Sequence, residues 1–260
     1  MSVGENLTDS AGQPWAGRTF SENPHSGDMG EADPRLAAAL AAFGSGTGSQ
    51  AEVVEAFRHA RLLIPLVAEL GEEGINDAGK RVDKSQELSI VTVAGPDGRA
   101  VLPVFSSVAT MSAWNPQARP VPAEGTRVAL AAASEQTDLV VLDPGSQTEF
   151  VVRRPALWAV ARQETWMPAV TSPEVAHEFE RSVEAEPAVT SVALEPGDPA
   201  SRLAGPEVIV RLTLQPGLDS ASLSELLGRV TARWSESTLI AERVDSLEVS
   251  LAAAQPPLVE

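Results

Sequence analysis

The sequence predicts an α+β protein: a mixed or antiparallel sheet with covering helices, followed by a smaller α+β domain of ββαβ order. Three observations carry this. Two apolar runs, Leu88 to Val93 and Val101 to Phe105, flank Gly95-Pro96-Asp97-Gly98, where proline fixes one φ and the glycines admit positive φ. Each run has apolar groups on both faces, so a central hairpin is expected, covered on one side and at least partly on the other. Leu223, Leu226, Leu227, Val230 and Trp234 form one continuous helical stripe. Val208 to Leu214 and Leu247 to Leu251 alternate as half-buried strands do.

A chain of 260 residues, 43% hydrophobic and 21% charged, is long and apolar enough for one or two cored domains, and the change of pattern near residue 169 favours two. Residues 1–32 mix Gly, Ser, Asn, Pro and Asp without periodicity and are expected to be a disordered tail. The first domain spans 33–168. Asp33-Pro34 caps and opens a helix with Leu36, Leu40 and Phe43 on one face, and Ser49 with Glu52 has capping-box spacing for the next, which buries Val53, Val54 and Phe57. Leu62 to Val67 reads as a strand whose Pro65 has no N–H, which puts it at an edge or a bulge. Residues 71–86 form a long polar loop, functional or disordered.

After the hairpin, Ser107 caps a short helix presenting Val108, Met111 and Trp114, and Asn115-Pro116 stops it. Glu124 to Ala133 is a second helical stretch. Leu139 to Leu142 and Phe150 to Val152 are strands joined by Asp143-Pro144-Gly145-Ser146, and Pro155 opens a helix with Leu157, Trp158 and Val160. The second domain, 169–252, begins with a charged helix at Ser172-Pro173 and continues as strand, strand, helix, strand on an antiparallel-type sheet. Residues 253–260, with Pro256-Pro257, form a frayed tail.

Charge and composition exclude whole classes of chemistry. Thirty-six acids against 19 bases give a net charge of −17, which repels phosphate backbones and anionic lipid, so neither nucleic acid nor membrane is an expected partner. Zero cysteines remove thiol catalysis, thiolate-held metals and disulfides. No basic-then-apolar leader and no membrane-length apolar run is visible, so a cytoplasmic location is expected.

Few residues invite catalysis. His25 lies in the tail, His59 ends a helix where a cation relieves the dipole, and His177 shares a helical face with Glu174. One Glu-x-x-His motif is half of what a di-metal bundle needs, and a solvated face explains it more simply. Gly44 to Gly48 lacks the Gly-Lys-Ser/Thr and strand context of a phosphate loop, and Ser106-Ser107 lacks a nucleophile elbow. Glu72-Glu73 and the acids from Asp77 to Asp83 lack calcium-loop order. No catalytic, cofactor or metal residue is therefore assigned. Candidate interaction residues are Trp114, Arg153, Arg154 and Trp158: the arginine pair suits a carboxylate or phosphate, and tryptophans exposed together mark interfaces.

Several short motifs occur in a familiar order: Phe57 to Pro65 (Phe-Arg-His-Ala-Arg-Leu-Leu-Ile-Pro), Leu102 to Ser107, Trp114, Arg119-Pro120-Val121, and Asp143 to Ser146. Together they resemble the N-terminal domain of the SseB family, named for enhanced serine sensitivity, over about residues 50–165. The lead-in from Asn23-Pro24 to Leu40 looks like that of actinobacterial members, and residues 187–251 match the position and size of the family's C-terminal domain. The resemblance implies a two-domain protein without a recognised catalytic constellation, and it supplies no active-site residue.

The expected function is accordingly non-enzymatic: a binding or regulatory protein for another protein or a small metabolite, linked to amino-acid (serine) metabolism. The alternative is a hydrolase or transferase using carboxylates alone, with its site between the two domains. A homodimer sealing an edge strand at Pro65 is a third possibility.

Overall fold

The computed structural model describes residues 29–68, 74–75, 81–82 and 88–254. The tail over 1–28 with His25, the acids of the 71–86 loop and residues 255–260 lie outside the described residues. The helix starts follow their caps. Asp33 accepts from the N–H groups of Arg35 and Leu36 at the head of α1 (Pro34–Gly44), and Ser49 and Glu52 cap α2 (Gln50–His59) reciprocally. Ser107 does the same with Thr110 for α3 (Val108–Trp114). α4 (Gly125–Ser134) and α5 (Arg154–Arg162) complete the first lobe's helices.

The strands are β1 (Arg61–Ala68), β2 (Gly74–Ile75), β3 (Arg81–Val82), β4 (Leu88–Ile90), β5 (Val93–Ala94), β6 (Ala100–Val104), β7 (Arg119–Glu124), β8 (Val140–Leu142) and β9 (Phe150–Val152). They form sheets of order β4-β1-β7 and β5-β6-β8-β9, with β2 and β3 paired separately. The β6–β8 pair is parallel and its neighbours antiparallel. One bridge joins the sheets: Leu63 and Phe105 exchange both N–H···O bonds, at 2.8 and 2.9 Å.

Two prolines explain why that ladder stops after one pair. Continuing the antiparallel register from Leu63 and Phe105, the next hydrogen-bonding pair would be Pro65 with Pro103. Neither can donate, so the strands part there. Beyond the split β1 takes β4 as its neighbour and β6 takes β5. The arm before the Gly95 to Gly98 turn is thereby divided between two sheets, and the expected central hairpin shrinks to two residue pairs, Val93 with Val101 and Ala94 with Ala100. The middle of the fold is the β6–β8 pair instead. Gly98, at φ +82°, still makes the turn, donating to the Gly95 carbonyl at 2.9 Å.

Pro65 is likewise not at an edge, because β1 is the middle strand of its sheet. The outer strands are β4 and β7, and in β7 Pro120 and Pro122 oppose Pro65 and Leu63. Since the Leu63 N–H points to Phe105, both β7 prolines occupy positions whose missing N–H faces outward. The β7 edge offers no donor at those two positions to a second strand, and Pro65, in the middle strand, lies at no edge. β7 itself is absent from the sequence reading, because two prolines in six residues hide a strand.

Strand side chains alternate between two cores. Leu102, Val104, Val140, Leu142 and Val152 face α1, α2, α4 and α5, whose Leu36, Phe57, Val128 and Leu157 cover them. The opposite face is divided: Met111 and Trp114 of α3 cover Leu63 and Phe105, while Val101, Leu139, Val141 and Val151 pack against Leu203. Leu203 comes from the second lobe.

That lobe comprises α6 (Pro173–Val183), β10 (Val189–Pro196), β11 (Val208–Leu214), α7 (Ser220–Glu236), α8 (Thr238–Arg243) and β12 (Leu247–Ala253). Ser237 ends α7 and N-caps α8, splitting what the sequence reads as one helix. The sheet order is β10-β11-β12, and β12 runs parallel to β11 rather than antiparallel, because the α7–α8 crossover returns the chain to the same end. Phe179 and Trp234 meet edge to face at 5.2 Å in its core. Glu186 accepts from Arg229 and Arg233, whose guanidinium hydrogen bonds hold its carboxyl down at about 2.

Leu203→Ala removes the second lobe's plug from the first lobe's sheet. It should lower the unfolding free energy by about 2–5 kcal/mol, the usual range for a buried leucine, as read by urea denaturation. A loss below about 0.5 kcal/mol would show that the face needs no cover from the second lobe.

Candidate functional site

The two lobes meet around one arginine. Arg153 follows β9 as the N-cap residue of α5, and its side chain is 8% exposed. One terminal nitrogen donates to Asp198 Oδ2 at 2.7 Å and to the Gly205 carbonyl at 3.0 Å; the other donates to Asp245 Oδ2 at 3.0 Å and Ser246 Oγ at 3.3 Å. Arg99, from the tight turn, adds a fork to Asp245 with both bonds at 3.0 Å and a third bond to Asp97 at 2.7 Å. All of Arg153's carboxylate partners come from the second lobe.

The loop between β10 and β11 delivers Asp198, and the connection between α8 and β12 delivers Asp245. Asp198 accepts from the backbone N–H groups of Arg202 and Leu203, curling the loop so that Ser201 and Leu203 adopt φ +51° and +56°. Non-glycine residues in that region carry strain, here offset by contacts on every side. The Ser201 carbonyl accepts from Val151 N–H at 2.8 Å along the β9 edge, and its hydroxyl accepts from Gln50 at 2.8 Å. Leu203 completes the apolar plug.

A cavity of about 30 Å³ remains inside this junction, lined by Arg153, Asp198, Ser201 and Glu207 among others. It is large enough for a water or two and too small for a metabolite. Glu207 accepts from Asp245 N–H at 2.5 Å. Burial away from water, reinforced by the Asp245 charge, pushes its carboxyl up from 4.5 to about 7, against the pull of Arg153 and Arg154. The site can therefore hold charge and one titrating proton, but the space beside that proton is closed.

A second cluster lies outside the junction, on α5. Arg154, Trp158 and Arg162 are spaced i, i+4, i+8 and share a helix face. The Arg154 and Arg162 guanidiniums lie 5.0 and 5.8 Å from the Trp158 ring centre, both within cation–π range. Arg154 also donates to the Val244 carbonyl at 2.8 Å. Beside this ridge runs a groove of about 320 Å³ between α4 and α5.

Of the four candidate interaction residues, the structure brings only Arg154 and Trp158 together. Arg153, at the junction of β9 and α5, is turned inward onto Asp198 and Asp245 of the second lobe. Trp114 is half-buried against Phe105 at 5.3 Å, on a different face. Asp198, Glu207 and Asp245 were invisible as a site, since their spacing along the chain carries no motif. Arg162 was legible as the next i+4 position after Trp158 and went unread.

The remaining sequence candidates have local tasks. His177 stands 3.8 Å from Glu180 rather than pairing with Glu174, and His59 is 3.3 Å from Glu55, both on open surface. The N–H groups of residues 45–48 turn back to α1 carbonyls, so the glycine stretch closes a helix and leaves no anion cradle. Ser106 donates from N and Oγ to Asp143, which Thr148 also meets, clasping the turn between β8 and β9. Among the described residues, no helix is long and apolar enough to cross a membrane.

Fold and junction together define a two-lobed α+β protein whose lobes are joined by buried ion pairs. Residues 36–159 match the family model described as the SseB protein N-terminal domain. The match ends within α5, so the second lobe lies beyond it. No curated protein matches the chain.

Two outcomes test the junction. Arg153→Ala leaves the buried Asp198 carboxylate without a cation and Asp245 with Arg99 alone, and should lower stability by about 3–5 kcal/mol in urea denaturation. Glu207 works in the opposite sense. Its folded pKa is raised, so the folded state holds a proton that the unfolded chain has released, and wild-type stability falls as pH rises from about 4.5 to about 7. Glu207→Gln should remove that slope and raise stability at pH 8, by at most about 3 kcal/mol at ~1.4 kcal/mol per pKa unit, with little gain at pH 4. Parallel thermal melts across that range decide it.

Proposed function

We propose that this protein acts by recognition rather than turnover, as a binding or regulatory module whose two lobes present one rigid surface. The observation that carries this reading is the closed junction. Its convergent arginines and carboxylates bond one another or the backbone, around a space of about 30 Å³. Groups arranged in this way hold two lobes together. The ligand, another protein or a small metabolite, is then met at the surface, where Arg154 and Trp158 stand together. A link to amino-acid metabolism, serine in particular, rests on the match to that family's domain alone.

Glu207 is the one feature that favours the alternative, a carboxylate-based hydrolase or transferase working between the lobes. A carboxyl near 7 is what a general acid needs at neutral pH. Catalysis there would require the lobes to part and admit a substrate, breaking the Arg153 pairs. Incubating the purified chain with a cell metabolite extract separates the readings. Recognition predicts that mass spectrometry finds metabolites or proteins retained in stoichiometric amount and none converted, with the same retention by Glu207→Gln. A metabolite consumed catalytically by wild type and spared by Glu207→Gln would replace this reading with the enzymatic one.

A further inference from the structure

We infer that the Arg154, Trp158 and Arg162 ridge, with the groove beside it, docks an acidic peptide segment of a partner protein through carboxylates flanking one apolar side chain. The inference rests on the recognition reading above and gives it a partner chemistry.

Each guanidinium carbon lies over the Trp158 ring within cation–π range, and a guanidinium carries five N–H donors, so donors remain for a carboxylate. Arg154 is fixed further by its bond to the Val244 carbonyl, so little side-chain freedom is lost when an anion binds. Neither arginine has a carboxylate within ion-pair distance among the described residues. That is notable in a chain with 36 acids and 19 bases, in which Arg153, one position earlier, is clasped by two. The ridge thus keeps positive charge on an otherwise acidic molecule, and charge complementarity points to an anionic partner.

The groove selects a peptide over a lone anion. Ala129, Ala132 and Leu157 give it an apolar floor, and about 320 Å³ takes a leucine-sized side chain and its backbone. Asp138 lines the groove too, and its carboxylate repels acids, so the segment must lie with its carboxylates toward α5. The net charge of −17 opposes approach from a distance. At physiological salt that field is screened beyond about 8 Å, and the local ridge governs the contact.

The test is fluorescence anisotropy of a short fluorescein-labelled peptide, one leucine flanked by glutamates, titrated with the full chain in 0.15 M salt. The expected result is saturable binding, weakened about tenfold or more by Arg162→Gln and by Trp158→Ala, and lost when the peptide's glutamates are replaced by glutamines. Arg162 is exposed at the helix end, so its substitution leaves folding intact, as an unchanged melting temperature verifies. Inorganic phosphate and vesicles containing anionic lipid serve as rival ligands. Absence of peptide binding, equal binding by the variants, or tighter ridge-dependent binding of either rival overturns the inference. If Arg162→Gln and Trp158→Ala still retain every metabolite and protein that wild type retains from extract, recognition stands and the ridge is the wrong surface. If wild type retains nothing and converts a metabolite, the underlying reading has failed instead.

Discussion

A guanidinium withdrawn from water must be met by opposite charge and by acceptors for its remaining N–H groups, or it destabilises the fold by several kcal/mol. Arg153 is met by Asp198, Asp245, Ser246 and the Gly205 carbonyl, all supplied by the second lobe. The first lobe's last strand is therefore followed at once by a group that the second lobe satisfies. Leu203 makes the same dependence apolar, since the sheet face it covers would otherwise stand open to solvent. Asp198, Gly205 and Leu203 all sit in the loop between β10 and β11, and that loop holds Ser201 and Leu203 in strained backbone conformations, while Asp245 and Ser246 come from the connection before β12.

The first lobe's own sheet is shaped by what proline cannot do. Pro65 and Pro103 would face each other across β1 and β6, and with no N–H on either side the ladder ends at a single bridge. The residues that follow re-pair, β1 with β4 and β6 with β5, so one sequence of strands serves two sheets. Pro120 and Pro122 use the same chemistry outward, blunting the β7 edge against a further strand. A residue that weakens sheets in isolation here decides where the sheet divides and where it stops.

Closing the junction in this way leaves the surface to do the work. The titrating carboxyl of Glu207 lies where a reaction between lobes would be sited, yet it is walled by the ion pairs that join them. The adjacent arginine has a different fate: Arg154 is half-buried over Trp158 with one bond to the Val244 carbonyl, while Arg153 is buried between two carboxylates. The two differ because Arg153 caps α5 from outside and Arg154 is its first residue.

What the sequence determined by itself was local: the caps at Asp33, Ser49, Ser107 and Ser172, the turn at Gly98, the alternation along β11, the stripe of α7, and the α+β class they add up to. These depend on neighbours within a few positions, where backbone chemistry and periodicity leave a legible trace. Proximity of Arg99, Arg153, Asp198, Glu207 and Asp245 left none, because those residues are brought together by four connections of chain from two lobes. The same holds for the pairing partner of β4, the parallel sense of β12 and the inward turn of Arg153. Each is settled by which distant surface arrives to bury or neutralise it, and that is a property of the packed molecule alone.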